Sequence, residues 1–126
     1  MKKNGFTLIE LLAVIVILAV IALIATPTVL DSIAKANKGA REAAAAGFVE
    51  AYEYSVARAQ LDSATYTAPN ASVTLTSANI SGSYALKGKR PTAAVLNVSN
   101  GVVLAGVITV DGKVVTMTSD SYTSAN

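Results

Sequence analysis

Lys2-Lys3-Asn4-Gly5-Phe6-Thr7-Leu8-Ile9-Glu10 runs directly into Leu11-Leu12-Ala13-Val14-Ile15-Val16-Ile17-Leu18-Ala19-Val20-Ile21-Ala22-Leu23-Ile24-Ala25. No polar residue interrupts the second stretch. With its apolar flanks it exceeds the roughly 20 residues that cross a hydrocarbon core as a helix. Lys2 and Lys3 set the N-terminus on the cytoplasmic side, because basic flanks stay inside. Glu10 is the anomaly. A charged side chain near the bilayer centre costs roughly 2.5–3.5 kcal/mol even on insertion scales. An acid in this place needs either the interface or a partner.

A cleaved secretory signal would use Lys2 and Lys3 as its basic region, but this apolar run is too long and carries Glu10. A plain anchor leaves Glu10 without a purpose. The third reading rests on the residues around Gly5. Lys2-Lys3-Asn4-Gly5 followed by Phe6-Thr7-Leu8-Ile9-Glu10 closely resembles the processing site of type IV prepilins and pseudopilins. The resemblance is specific through Ala25 and looser beyond it, where only a helix-then-sheet order is shared.

That resemblance implies cleavage between Gly5 and Phe6 by a membrane aspartyl peptidase, and N-methylation of Phe6. It also implies packing of the helix into a filament core, with Glu10 as the family's glutamate and Pro27 as its helix-kinking proline. The implied partners are other subunits, the prepilin peptidase and N-methyltransferase, an assembly platform, a motor ATPase and the membrane. The implied location is the cytoplasmic membrane for a single-pass precursor, then a surface pilus. Many relatives have Gly where this chain has Ala19, a strong helix former, which argues against local unwinding here. Gram-negative relatives often close the distal end with a disulfide, and this chain has no Cys. It looks most like Gram-positive members.

Gly5 lets a peptidase approach the backbone. Cleavage creates a cation at Phe6, and in a stack of parallel helices Glu10 of one subunit can meet it. Neither charge is then unpaired in an apolar core. The pair would fix axial offset as a buried polar residue fixes coiled-coil register.

Residues 31–62 read as an amphipathic continuation of the helix. Ile33, Ala36, Ala40, Ala44, Phe48, Ala51 and Val56 mark its apolar stripe, with Phe48 and Tyr52 an i,i+4 aromatic pair. Asp31, Lys35, Lys38, Arg41, Glu42, Glu50, Glu53 and Arg58 fall mainly on the other sides. Glu50 and Glu53 read as a solvated face rather than a catalytic dyad. Gly39 and Gly47 each weaken the helix by about 1 kcal/mol.

Composition changes after Asp62. Residues 63–70 are a polar loop. Strand signals follow at 72–76, weakly at 84–86, then at 93–98, 102–110 and 113–118. Asp111-Gly112 predicts a type I′ hairpin turn and Ser99-Asn100-Gly101 a second tight turn. The tail 119–126 is expected to fray or cover an edge. The expected fold is α+β: a long N-terminal helix packed on a small antiparallel sheet. Its parts are a leader (1–5), a transmembrane and assembly helix (6–30), the amphipathic helix (31–62) and a sheet head (63–126).

The 126 residues suffice for one domain, with 52% hydrophobic residues and a formal charge of +2. Loss of Lys2 and Lys3 leaves eight basic and eight acidic residues, a neutral product. There is no His, Cys or Trp, so imidazole and thiol chemistry are excluded. No catalytic residue, cofactor or metal is expected. Lys87, Lys89 and Arg90 form the one dense basic cluster, a candidate phosphate contact. No aromatic stacking platform accompanies it, and nucleic acid is not an expected partner. Asp111 and Asp120 lack a spaced acidic loop for calcium. Asn70-Ala71-Ser72, Asn79-Ile80-Ser81 and Asn97-Val98-Ser99 fit the glycosylation triplet in a region rich in Ser and Thr. The expected function is a structural subunit, a major pilin. The alternatives are a minor or competence pilin that binds DNA, and a secretion-type pseudopilin.

Overall fold

A computed structural model describes residues 5–84, 86–119 and 121–125, with backbone alone at Ser81 and Gly82. Lys2, Lys3 and Asp120 lie outside the described residues. The elements are α1 (Leu8–Asp62), β1 (Ser72–Thr76), α2 (Ser77–Ser83), β2 (Pro91–Ser99), β3 (Val102–Val110), β4 (Lys113–Thr118) and β5 (Ser121–Ser124). The chain is α+β, a long N-terminal helix followed by a five-stranded antiparallel sheet. It divides into two compact units, residues 1–35 and 36–126.

In the first unit α1 is apolar on every side from Leu11 to Ala25. Leu8, Ile9, Leu11, Leu12 and the Val, Ile and Leu residues through Leu30 are all exposed. Such a helix belongs in lipid or against other helices, and α1 is long and apolar enough to cross a membrane. Pro27 lies inside it, and the helix is unbroken from Ala19 through Pro27. Thr26 donates its hydroxyl to the Ala22 carbonyl at 2.6 Å, and Ser32 donates to that of Thr28 at 3.0 Å. These bonds hide two hydroxyls from an apolar surrounding.

In the second unit α1 changes character. Ala45, Phe48, Val49, Tyr52 and Val56 are buried, one stripe at helical spacing. This corrects the expected stripe, which ran through Ala40, Ala44 and Ala51. Ala40 is exposed, while Ala44 and Ala51 are only half-buried. With Ala at every candidate position, the large side chains decide which face turns inward. Glu53 and Glu42 are also not on a merely solvated face. Glu53 Oε1 accepts the Val103 N–H at 2.8 Å, and Glu42 Oε1 accepts that of Ser124 at 2.9 Å.

The sheet order is β1-β2-β3-β4-β5, a meander of sequential neighbours. Its inner face supplies Leu75, Ala94, Leu96, Val98, Val103, Ile108, Val110, Val115 and Met117 to the core shared with α1. Asn100 (φ 55) and Gly101 (φ 84) turn β2 into β3, and Asp111 (φ 52) and Gly112 (φ 71) turn β3 into β4. Two successive positive φ values are what a type I′ turn requires.

One expectation needs correction and one element was unforeseen. The weak strand signal at 84–86 forms no strand among the described residues. Tyr84 and Leu86 instead pack on the core, where Tyr84 meets Phe48 edge-on at 5.4 Å and Tyr52 at 6.1 Å. Residues 77–83 form the unexpected α2, whose Ile80 is 1% exposed and closes the core beside β1. Of the two forms expected for the tail, the described residues take the edge-covering one. Ser121–Ser124 form an edge strand paired to β4. Arg41 Nε donates to Ser124 Oγ at 2.9 Å and Arg41 Nη2 to the Ala125 carbonyl at 3.2 Å, so α1 fixes this edge.

Candidate processing and assembly site

Gly5 and Phe6 precede the first helical turn, and both are exposed. A methyl group added at Gly5 would meet nothing within 4 Å. Its own fold therefore makes no demand for glycine there. A demand for a bare backbone would come from outside, as a peptidase cleft would impose.

Thr7 begins the helix, since its carbonyl accepts the Leu11 N–H at 3.3 Å. Its N–H and its hydroxyl each donate to Glu10 Oε2 at 2.9 Å, and the Glu10 N–H points back at the Thr7 hydroxyl at 3.4 Å. This is a reciprocal capping box, in which each residue's side-chain oxygen accepts the other's orphan backbone N–H. The carboxylate of Glu10 is thereby held at the helix start, on Thr7, the residue that follows Phe6. Sequence reasoning missed Thr7. The signal was present, because Thr-x-x-Glu before an apolar run is the sequence form of this box.

The basic cluster is not an open cationic patch. The Lys89 ammonium pairs with the Asp111 carboxylate across 22 positions of sequence. Asp111 is therefore engaged by a lysine as well as by its turn. Lys87 and Lys89 line a shallow hollow of about 220 Å³ with Ala43, Ala44, Gly47 and Leu86. Among the described residues, no three His, Cys, Asp or Glu side chains converge. Asn70, the acceptor of one glycosylation triplet, accepts the Asn100 N–H at its Oδ1 at 2.5 Å, which ties the 63–71 loop to the β2–β3 turn.

The sequence model of the prokaryotic N-terminal methylation motif matches residues 1–26. This segment carries the leader signature of type IV prepilins and pseudopilins. The motif implies processing by a prepilin peptidase and assembly into a filament, and the apolar helix is compatible with membrane anchoring as a precursor. No curated protein and no solved structure shows significant similarity to the chain.

Proposed function

We propose that this chain is the major structural subunit of a type IV pilus. It enters the membrane as a single-pass precursor, is cut between Gly5 and Phe6 and is methylated on the Phe6 amine. The helix of residues 6–30 then leaves lipid and packs against its copies. The observation that carries this reading is the pairing of the methylation motif with an apolar helix whose every face is uncovered. Burying a Leu, Ile or Val side chain contributes about 1.5–3 kcal/mol relative to water, so such a helix stays in lipid or finds other helices. Glu10 and the Phe6 amine set subunit offset, and Pro27 bends the helix. The chain acts as a building block and not as a catalyst.

The DNA-binding alternative draws on Lys87, Lys89 and Arg90. The Lys89–Asp111 pair speaks against it, since a phosphate would have to displace a carboxylate.

Processing is tested by co-expressing the precursor with a prepilin peptidase and measuring intact mass. The expected product lacks residues 1–5 and carries one added methyl group. Gly5→Val should remain full length while still reaching the membrane. A Gly5→Val chain cleaved as efficiently as wild type would overturn the assignment.

A further inference from the structure

The charges of residues 36–126 gather by sign at one end of the unit. Pro91 pairs with Val110 and Val110 with Lys113, so the sheet register sets Arg90, Asp111 and Lys113 at the same end. Lys89 pairs with Asp111 there. Lys87 and Lys89 line the hollow with Ala43, Ala44 and Gly47, which brings their loop against α1. Arg41 reaches this end from the helix, through Ser124 and the Ala125 carbonyl, and the Ala125 N–H is given to Val114 beside Lys113. Lys38 lies one turn before Arg41. Against these six cations stand the carboxylates of Glu42 and Asp111, a net charge of +4 among the described residues.

The opposite end is different. Gly101 packs on Val56 there, and Glu53 accepts the Val103 N–H. Arg58 and Asp62 pair at 3.7 Å. Positive charge is therefore concentrated where the unit begins, at the end from which α1 joins the apolar residues.

That position selects the partner. Lys38 follows the apolar span of residues 6–30 by eight positions. Eight residues reach at most about 29 Å even as an extended chain. In a membrane-anchored chain the basic end is thus tethered close to the bilayer surface, at high effective concentration. Basic groups are drawn to anionic lipid within a Debye length, about 10 Å at 0.1 M salt. Lys89 already has Asp111, but a plane of charge acts on the net charge of the end and displaces no carboxylate. A nucleic acid fits less well, since the exposed tyrosines of the unit, Tyr54 and Tyr66, lie away from these cations and offer them no stacking platform. A second copy is also the poorer match, because Asp62 is paired and Glu53 is turned to a backbone N–H.

We propose that the basic end of the 36–126 unit docks on anionic phospholipid headgroups while the chain is anchored in the membrane. This rests on the anchored-precursor reading and is independent of filament assembly.

Because the chain has no Cys, Ala43→Cys gives a single labelling site beside Lys87. Full-length labelled protein would be reconstituted into vesicles of phosphatidylcholine, alone or in equal parts with phosphatidylglycerol, each holding a headgroup-attached nitroxide quencher. Flotation establishes insertion in both. Quenching at Ala43→Cys should be at least about twofold stronger with phosphatidylglycerol. It should return to the phosphatidylcholine level in 1 M salt, where the Debye length is about 3 Å. A label at Gln60→Cys, toward the other end, should show no such gain. Adding Lys87→Gln, Arg90→Gln and Lys113→Gln to Ala43→Cys should abolish the gain with circular dichroism unchanged. Equal quenching in the two lipids despite insertion in both would overturn the proposal alone, as would a gain that survives the three substitutions. Shielding of the label by duplex DNA and not by phosphatidylglycerol would give the surface to a nucleic acid. A chain that floats with neither lipid overturns the anchored reading, and the proposal with it.

Discussion

Gly101 stands where a turn and a helix meet. Its φ is +84, and a Cβ built there would lie 2.8 Å from Val56 Cγ1 and 3.3 Å from Ala68 Cβ. Gly101→Ala therefore carries two penalties. A left-handed conformation costs a non-glycine residue about 1–2 kcal/mol. Forcing a methyl into a filled core costs about 1–3 kcal/mol. Alanine also stiffens the unfolded chain, which returns about 0.4–1 kcal/mol. The net loss should be about 2–3 kcal/mol, or roughly 10–20 °C in midpoint for a module of this size. Val56→Ala removes the clashing methyl and separates the two penalties. By itself it should cost about 2 kcal/mol for a buried Val. Combined with Gly101→Ala, the loss should fall short of the sum by about 1–2 kcal/mol, because the added methyl occupies the vacated space. The assay is thermal and urea unfolding of full-length protein in detergent, followed by tyrosine fluorescence. A loss under about 0.5 kcal/mol for Gly101→Ala, or strict additivity with Val56→Ala, would refute the packing argument.

Other outcomes follow from the same geometry. Glu42→Ala should leave the Ser124 N–H without its acceptor, costing about 1–3 kcal/mol, and amide exchange should speed up at Thr123 and Ser124 before the rest of the sheet. Asp111→Ala should cost about 1 kcal/mol through its φ of 52, whereas Asp111→Gly should be near neutral, since the exposed pair to Lys89 contributes about 0–1 kcal/mol; equal losses in the two melts would count against the turn argument. Burial raises the pKa of Tyr52, Tyr84 and Tyr122, with neighbouring tyrosines adding to the effect at Tyr52. Folded protein then holds these protons where the unfolded chain has lost them. Stability is thus full below about pH 10, the ordinary tyrosine range, and declines as pH rises through the higher folded values. An alkaline series of urea midpoints should show this decline, and Tyr52→Phe should reduce it.

Strong local signals were legible in the sequence. Asp111-Gly112 and Asn100-Gly101 announced their turns because few residues tolerate positive φ, and β1, β3 and β4 follow alternating side chains. The methylation motif of residues 1–26 was legible because a carboxylate in an apolar helix behind a basic start has few explanations. What stayed hidden depended on tertiary context. The Ala-rich segment 40–46 leaves the buried face of α1 undetermined until Phe48, Val49 and Tyr52 choose a side. α2 contains Gly82 and several serines, and it owes its place to Ile80 filling the core rather than to propensity. β5 reads as a polar tail because its anchoring comes from Arg41 and Glu42, more than 80 positions away. Tyr84 resembled a strand residue because aromatics favour sheets, but a core ring needs only a pocket.

The first measurement is the intact mass of protein sheared from the cell surface as filaments, for wild type and for Glu10→Ala. Wild type should lack residues 1–5 and carry one methyl group on Phe6. The Glu10→Ala protein should be processed in the membrane yet missing from filaments. Wild-type protein that keeps its leader, or is cut near Ala25 and released as a soluble product, would contradict the pilin reading.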